Sequence, residues 1–131
     1  MSLNDEERQI LVNLEKEKAL NTFAEIDILR QVGLWNNIAN RLYYAAFHAV
    51  SALLIHDRHN FGSHQGAVIC LHNYYVRTGI LSKEDGAFYS QLQTMREKSD
   101  YSCTYYATEV DTAPRIEQTK QFIDKVLNLI K

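Results

Sequence analysis

Apolar residues recur at helical spacing along almost the whole chain, and the place where polar positions nearly vanish sets the architecture. From Leu34 to Ile55 there is no Pro or Gly, and the segment is apolar on nearly every side. A helix that is hydrophobic all round belongs in the middle of a bundle, and in a chain without a membrane-length apolar run no spanning segment is expected. The stretch Asn40-Arg41-Leu42-Tyr43-Tyr44-Ala45-Ala46-Phe47-His48-Ala49-Val50 is thus the predicted central helix.

The flanking segments supply its neighbours. Asn4 to Gln31 opens with Asp5, Glu6 and Glu7, which suit the positive end of a helix dipole, and Leu11, Leu14, Phe23, Ile26 and Leu29 are its predicted buried side. Gly33 is the expected stop, so the first two helices form an antiparallel hairpin. His56 to Gly62 reads as a loop. Ser63 then caps a third helix with Ala67, Val68, Leu71, Tyr74 and Tyr75 on one face and Gly79 at its end. Ser82-Lys83-Glu84-Asp85 opens a fourth helix with the pattern of a capping box, and Phe88, Leu92 and Met95 give it a core face. Asp100 to Thr108 keeps no period and is expected to be an ordered aromatic loop. Asp111 or Thr112 caps the last helix, with Pro114 in its first turn and Ile116, Ile123, Val126, Leu127 and Ile130 facing inward.

The fold expected is therefore all-α, an up-and-down bundle of about five helices, with residues 1–131 as a single domain. The 131 residues, 46% hydrophobic and 23% charged, argue against disorder and against a second core. A formal net charge of −2 leaves no whole-protein basic footprint, so any nucleic-acid contact must come from a local patch. Cys70 and Cys103 show neither CxxC nor Cys/His metal spacing, and no secretory signal precedes them, which reads as a reduced, cytoplasmic protein without membrane contact. His56 and His59 lack a third ligand nearby, so no metal site is expected, and no cofactor is implied. Gly-x-Ser-x-Gly and His-Glu-x-x-His are absent, which removes the common hydrolase signatures.

Candidate chemistry lies in three places. Arg41, Tyr44 and His48 form one stripe on the central helix; their alternative role is internal, with Arg41 paired to a carboxylate of a neighbouring helix and His48 hydrogen-bonded in the bundle. Arg41 and His48 are roughly 10 Å apart along the axis, too far to hold one atom together. Ser63-His64-Gln65-Gly66 sets a hydroxyl and an imidazole at a helix start, where anions are favoured, or else is only a cap followed by close packing. Arg96 ends the fourth helix, where an Arg forks onto phosphate or carboxylate, or pairs with Asp100. Tyr101, Tyr105 and Tyr106 can stack on bases or plug the end of a bundle.

Together these stretches resemble the HEPN domain family. The residues that carry the resemblance are the Asn40–Ala49 segment, Ser63-His64-Gln65-Gly66, Thr78-Gly79-Ile80-Leu81 and Arg96-Glu97-Lys98-Ser99-Asp100-Tyr101, in the family's order. The resemblance implies a helical bundle, frequent homodimers and, in many members, pairing with a minimal nucleotidyltransferase in a toxin-antitoxin-like system. It also implies nucleotide binding or metal-independent RNA cleavage. RNA-cleaving members carry an Arg followed, after four to six residues, by His; here Tyr101, Ser102 and Cys103 stand at those positions after Arg96. Arg41 and His48 satisfy the spacing, but inside one continuous helix.

The expected function is accordingly a nucleotide- or RNA-binding module acting with a nucleotidyltransferase. Arg41, Tyr44, His48, Ser63 and His64 are its candidate phosphate and nucleotide contacts. One alternative is a ribonuclease using Arg96, with Asp100 or Tyr101 in the place of the missing imidazole; Tyr101, with an ordinary pKa near ~10, is a poor base at neutral pH. Another is a non-catalytic scaffold.

Overall fold

A computed structural model describes residues 2–131. The elements are α1 (Asp5–Ala24), α2 (Ile26–Gln31), α3 (Trp35–His56), α4 (His64–Leu71), extended by a π turn (His72–Val76), α5 (Lys83–Tyr101) and α6 (Glu109–Leu127). No strand occurs among the described residues, and the all-α bundle is the observed fold.

Helix α3 is the axis, touched by α1, α2, α4, α5 and α6. Twelve of its 22 residues are buried, among them Ile38, Leu42, Tyr43, Val50, Leu53 and Leu54. By length and composition alone it is apolar enough to cross a membrane, contrary to the sequence expectation, but 67% of its most apolar window is buried inside the bundle. Side-chain bonds fix the directions of its neighbours. Arg8 donates to the Ile55 carbonyl, Glu15 meets His48 and Glu25 meets Arg41, so α1 runs antiparallel to α3. Asn36 reaches Ser99 at the end of α5 while Tyr43 packs beside Tyr89 further back, which makes α5 antiparallel to α3 as well. Asp85 and Gln91 meet Lys125 and Arg115, so α6 returns antiparallel to α5.

Several local expectations are corrected. The first helix is broken at Glu25 into α1 and α2, and Gly33, at φ +72°, ends the pair in the left-handed conformation that glycine adopts without strain. Leu11 and Leu14 are exposed; the buried stripe of α1 is Val12, Ala19 and Thr22, small residues that let α1 approach α3 closely. Tyr74 is also exposed, because the π turn inserts an extra residue and re-aims the face: Leu71 and Tyr75 stay inside while Tyr74 stacks on His59 at 3.7 Å. The last helix starts earlier than expected, with Thr108 as its cap, which moves Pro114 into the second turn. The carbonyl that Pro114 leaves without an N–H belongs to Val110, which is exposed and open to water.

Ser63 and Ser82 cap as expected, the latter in a full capping box with Asp85. Helix α5 runs through Asp100 and Tyr101, so the aromatic loop begins only at Ser102. Asn36 ties this loop down by accepting from the Ala107 N–H while donating to Ser99. Both cysteines are free thiols.

Candidate functional site

The carboxyl-terminal half of α5 lies across the face of α3 that carries Tyr43 and Tyr44, and the start of α4 closes the third side. Between them is an open groove of about 490 Å³ lined by Tyr44, His64, Arg96, Glu97 and Tyr101. Helical spacing explains who faces whom. Adjacent positions on a helix diverge by about 100°, so Tyr43 points into the core while Tyr44 borders the groove.

Arg96 is its central residue. Its side chain is 8% exposed, yet among the described residues its only polar contact is an ion pair with Asp100 at 3.8 Å, beyond hydrogen-bond length, and its buried Nε has no partner. The guanidinium carbon sits 5.0 Å from the ring centre of Tyr43, 5.5 Å from that of Tyr44 and 5.8 Å from that of Tyr101. Aromatic faces favour the cation electrostatically but accept none of its directed N–H bonds. Donors are therefore held at the groove without acceptors, a state costly to build and suited to an anion.

His64 faces Arg96 from the first position of α4, placed there by the Ser63 cap, whose hydroxyl accepts from the Gly66 N–H at 2.9 Å. Gly66 allows the turn to close: a Cβ there would stand 1.7 Å from the Phe61 carbonyl oxygen. The imidazole packs on Phe47 with ring centres 4.3 Å apart, and its Nδ1 meets the Tyr43 hydroxyl at 2.7 Å. Burial, then the charge of Arg96 and then His48, holds the His64 pKa below its ordinary value, so the ring is neutral at pH 7. Burial, only partly offset by Tyr89 and Arg96, pushes the Tyr43 phenol up and keeps it protonated. In the tautomer this pairing favours, Tyr43 donates to Nδ1, and Nε2–H, which has no protein partner among the described residues, is left free.

The structure thus brings Tyr44, His64, Arg96 and Tyr101 to one groove. Asp100 lies behind Arg96 and accepts from Asn40 at 3.0 Å. Ser63 is occupied as a cap. Arg41 is turned toward a neighbouring hollow, forked onto the Asn40 side-chain oxygen and ion-paired with Glu25 at 3.6 Å, although its guanidinium is also 5.5 Å from the Tyr44 ring. His48 is not in the groove; its Nδ1 meets Glu15 of α1 at 3.2 Å. Residues that the sequence reading left without a role are Tyr43, Asn40 and Glu97. Asn40 and Tyr43 stand inside the Asn40–Ala49 stretch, so the signal was present, but Tyr43 reads as one more apolar position. Among the described residues no group of three His, Cys, Asp or Glu is arranged to hold a metal ion.

Fold and groove together define a helical bundle with an under-bonded arginine and a neutral imidazole on one open groove. Comparison with known proteins gives the family. Residues 12–129 match the HEPN domain, and the chain belongs to that family. It is 27% identical over 125 residues, 95% of each chain, to a UPF0332 protein of Thermotoga maritima. It is also 28% identical over 126 residues, 96% of this chain and 90% of the other, to a protein of Methanocaldococcus jannaschii named as a putative toxin. A UPF0332 protein of Archaeoglobus fulgidus is 29% identical over 101 residues, 76% of this chain and 79% of its own.

Proposed function

We propose that this chain is an RNA-binding module that seats one backbone phosphate between Arg96 and His64, with a base against Tyr44 or Tyr101, and acts with a nucleotidyltransferase in a toxin-antitoxin-like pair. The observation that carries the reading is Arg96, more than nine-tenths buried, its donors without hydrogen-bond acceptors among the described residues, at the floor of an open groove. Charge narrows the ligand. One guanidinium stands against the carboxylates of Glu97 and Asp100, a balance that suits the single charge of a phosphodiester better than the several charges of a nucleoside triphosphate. Tyr101, 78% exposed, offers a ring face that costs nothing to uncover.

The partner and a homodimer rest on family membership, together with the apolar side chains left uncovered along α1, α2 and the residue that follows them, at Ile10, Leu14, Leu20, Ile28 and Val32. The toxin name of one relative supports the two-component reading. A second reading, metal-independent RNA cleavage, is favoured by the neutral imidazole beside the guanidinium, since attack by a 2′-hydroxyl needs a base near it and a cation at the phosphate.

The test is binding of a rhodamine-labelled oligouridylate, and its cleavage, in excess chelator. Wild type is compared with Arg96→Ala and Arg41→Ala, with folding checked by circular dichroism. Binding lost in a folded Arg96→Ala variant is the expected result; unchanged binding refutes the site. Competition by uridine monophosphate but not by the oligomer's length would redirect the reading to free nucleotides. Cleavage that disappears with Arg96 would promote the ribonuclease.

A further inference from the structure

The Tyr43–His64 contact is more elaborate than phosphate binding requires. A neutral histidine at a helix start needs no phenol behind it, and Tyr43, fully buried, spends its hydroxyl on this bond. Behind Tyr43 lies Tyr89, also fully buried, with a ring centre 6.0 Å from that of Tyr43 and a hydroxyl that is outside good hydrogen-bond geometry yet near enough to the Tyr43 oxygen to offset part of the rise that burial gives that phenol's pKa. A phenol can serve an imidazole in either sense: it donates to a bare Nδ1, or it accepts from Nδ1–H and turns its own hydrogen elsewhere. The Tyr89 oxygen is where that hydrogen can turn.

We propose that Tyr43 is a positioning residue that lets His64 change protonation state in place, so that RNA binding at this groove takes up a proton and weakens as the pH rises. This rests on the RNA reading above. In the free protein the groups facing His64 are Tyr43, Tyr44 and His48 of α3, with Glu15 of α1 behind His48, and Arg96, Glu97 and Tyr101 of α5. Arg96 opposes a second positive charge, so the free ring is neutral. A phosphodiester seated beside Arg96 cancels that opposition and rewards the imidazolium with a charge-assisted bond from Nε2. Protonation then puts hydrogen on both ring nitrogens: Nε2–H faces the phosphate, Nδ1–H donates to the Tyr43 oxygen, and the Tyr43 hydrogen rotates toward Tyr89. A small approach of the two hydroxyls completes that last bond, and no backbone need move.

The test is calorimetric titration of an unlabelled oligouridylate at several pH values, each in two buffers of different ionisation enthalpy, which counts protons directly. Wild type should take up a fraction of a proton near pH 6.5, and its affinity should fall about tenfold between pH 5.5 and 8, the linkage of a pKa shifted by ~1 unit. His64→Gln should bind without uptake and with a flat pH profile. Tyr43→Phe removes the acceptor for Nδ1–H and should move the uptake to lower pH; a merely structural role would weaken binding equally at every pH. Binding without proton uptake, or uptake retained in His64→Gln, overturns this proposal alone. No binding at any pH overturns the RNA reading and the proposal with it.

Discussion

Replacing Arg96 by Met separates a binding residue from a structural one. The stabilising side of the balance is three aromatic contacts shared by one guanidinium, about 1–2 kcal/mol together, and an ion pair to Asp100, which is 27% exposed and 3.8 Å away. Such a pair adds at most about 1 kcal/mol. Against this stands a buried Nε without an acceptor, which costs about 1–3 kcal/mol. The terms nearly cancel. Methionine keeps the aliphatic stem and packs its sulfur on the same rings, worth about 0.3–1.5 kcal/mol where the geometry is favourable, while Asp100 keeps Asn40 and access to water. Arg96→Met should therefore unfold in urea, followed by circular dichroism, within about 1 kcal/mol of wild type, and oligouridylate affinity should fall at least about tenfold, the loss of one charge-assisted phosphate contact. A loss of about 3 kcal/mol or more, the signature of a broken buried ion pair, with RNA affinity intact, would refute the reasoning and make Arg96 part of the scaffold.

Three further outcomes follow from the packing. Gly66→Ala should cost about 1–3 kcal/mol or more, since its Cβ meets the Phe61 carbonyl oxygen at 1.7 Å and backbone must shift; the exposed neighbour Gln65→Ala should stay within about 0.5 kcal/mol, and a urea melt showing equal effects would contradict the close approach. Tyr89→Phe removes a buried hydroxyl that is outside good hydrogen-bond geometry, so stability should stay within about 1 kcal/mol of wild type while proton uptake on RNA binding shrinks; a large destabilisation would show a strong Tyr89–Tyr43 bond instead. Burial raises the Asp85 pKa, but Lys125 and Ser82 outweigh it and the net shift is downward from 3.8. Its contribution is thus present above about pH 4 and is lost as the pH falls through the lower folded value. Asp85→Asn keeps an oxygen for the Ser82 N–H but loses the charge beside Lys125 and the helix start, so it should cost up to about 1 kcal/mol at pH 7, and the gap in Tm to wild type should narrow at pH 3; an unchanged gap would show that the charge is idle.

What the sequence made legible follows from how local each feature is. The central helix was readable because a single narrow stripe interrupts its apolar run, and the caps at Ser63 and Ser82 because a cap is decided within four residues. The inner face of α1 was not. Ile10, Leu11, Val12 and Leu14 put apolar groups on every side of its first turns, and the face that packs is chosen by small residues, Ala19 and Thr22, that allow close approach rather than by the largest side chains. The π turn is a backbone response to packing, so periodicity could not place it, and Tyr74 was assigned to the wrong side in consequence. Arg96, His64, Tyr44 and Tyr101 were singled out separately, each by residue type and position. Their meeting depends on how α4 and α5 lean on α3, which no local pattern encodes. The Tyr43–His64 bond spans 21 residues and uses a position whose burial conceals its hydroxyl.

The groove is mounted on the most constrained part of the molecule. Tyr43 and Tyr44 are consecutive on α3, the helix that every other α-helix touches, and Arg96 lies on a helix held to it at Asn36 and Asn40. Side chains carried by packed helices keep their positions better than those on loops, so closing this groove around a ligand would mean repacking the core. Adjustment must then come from hydrogens and charge rather than from moving backbone, and the imidazole is the group in the groove whose charge changes in the neutral range. The exposed Tyr101, last residue of α5, is the exception, its ring free to settle on a base without disturbing the phosphate contacts. Tyr101→Ala should accordingly lower affinity while leaving the proton uptake of RNA binding at its wild-type value, and a variant that binds RNA without taking up protons would show that Tyr101, not the Tyr43–His64 pair, sets the linkage.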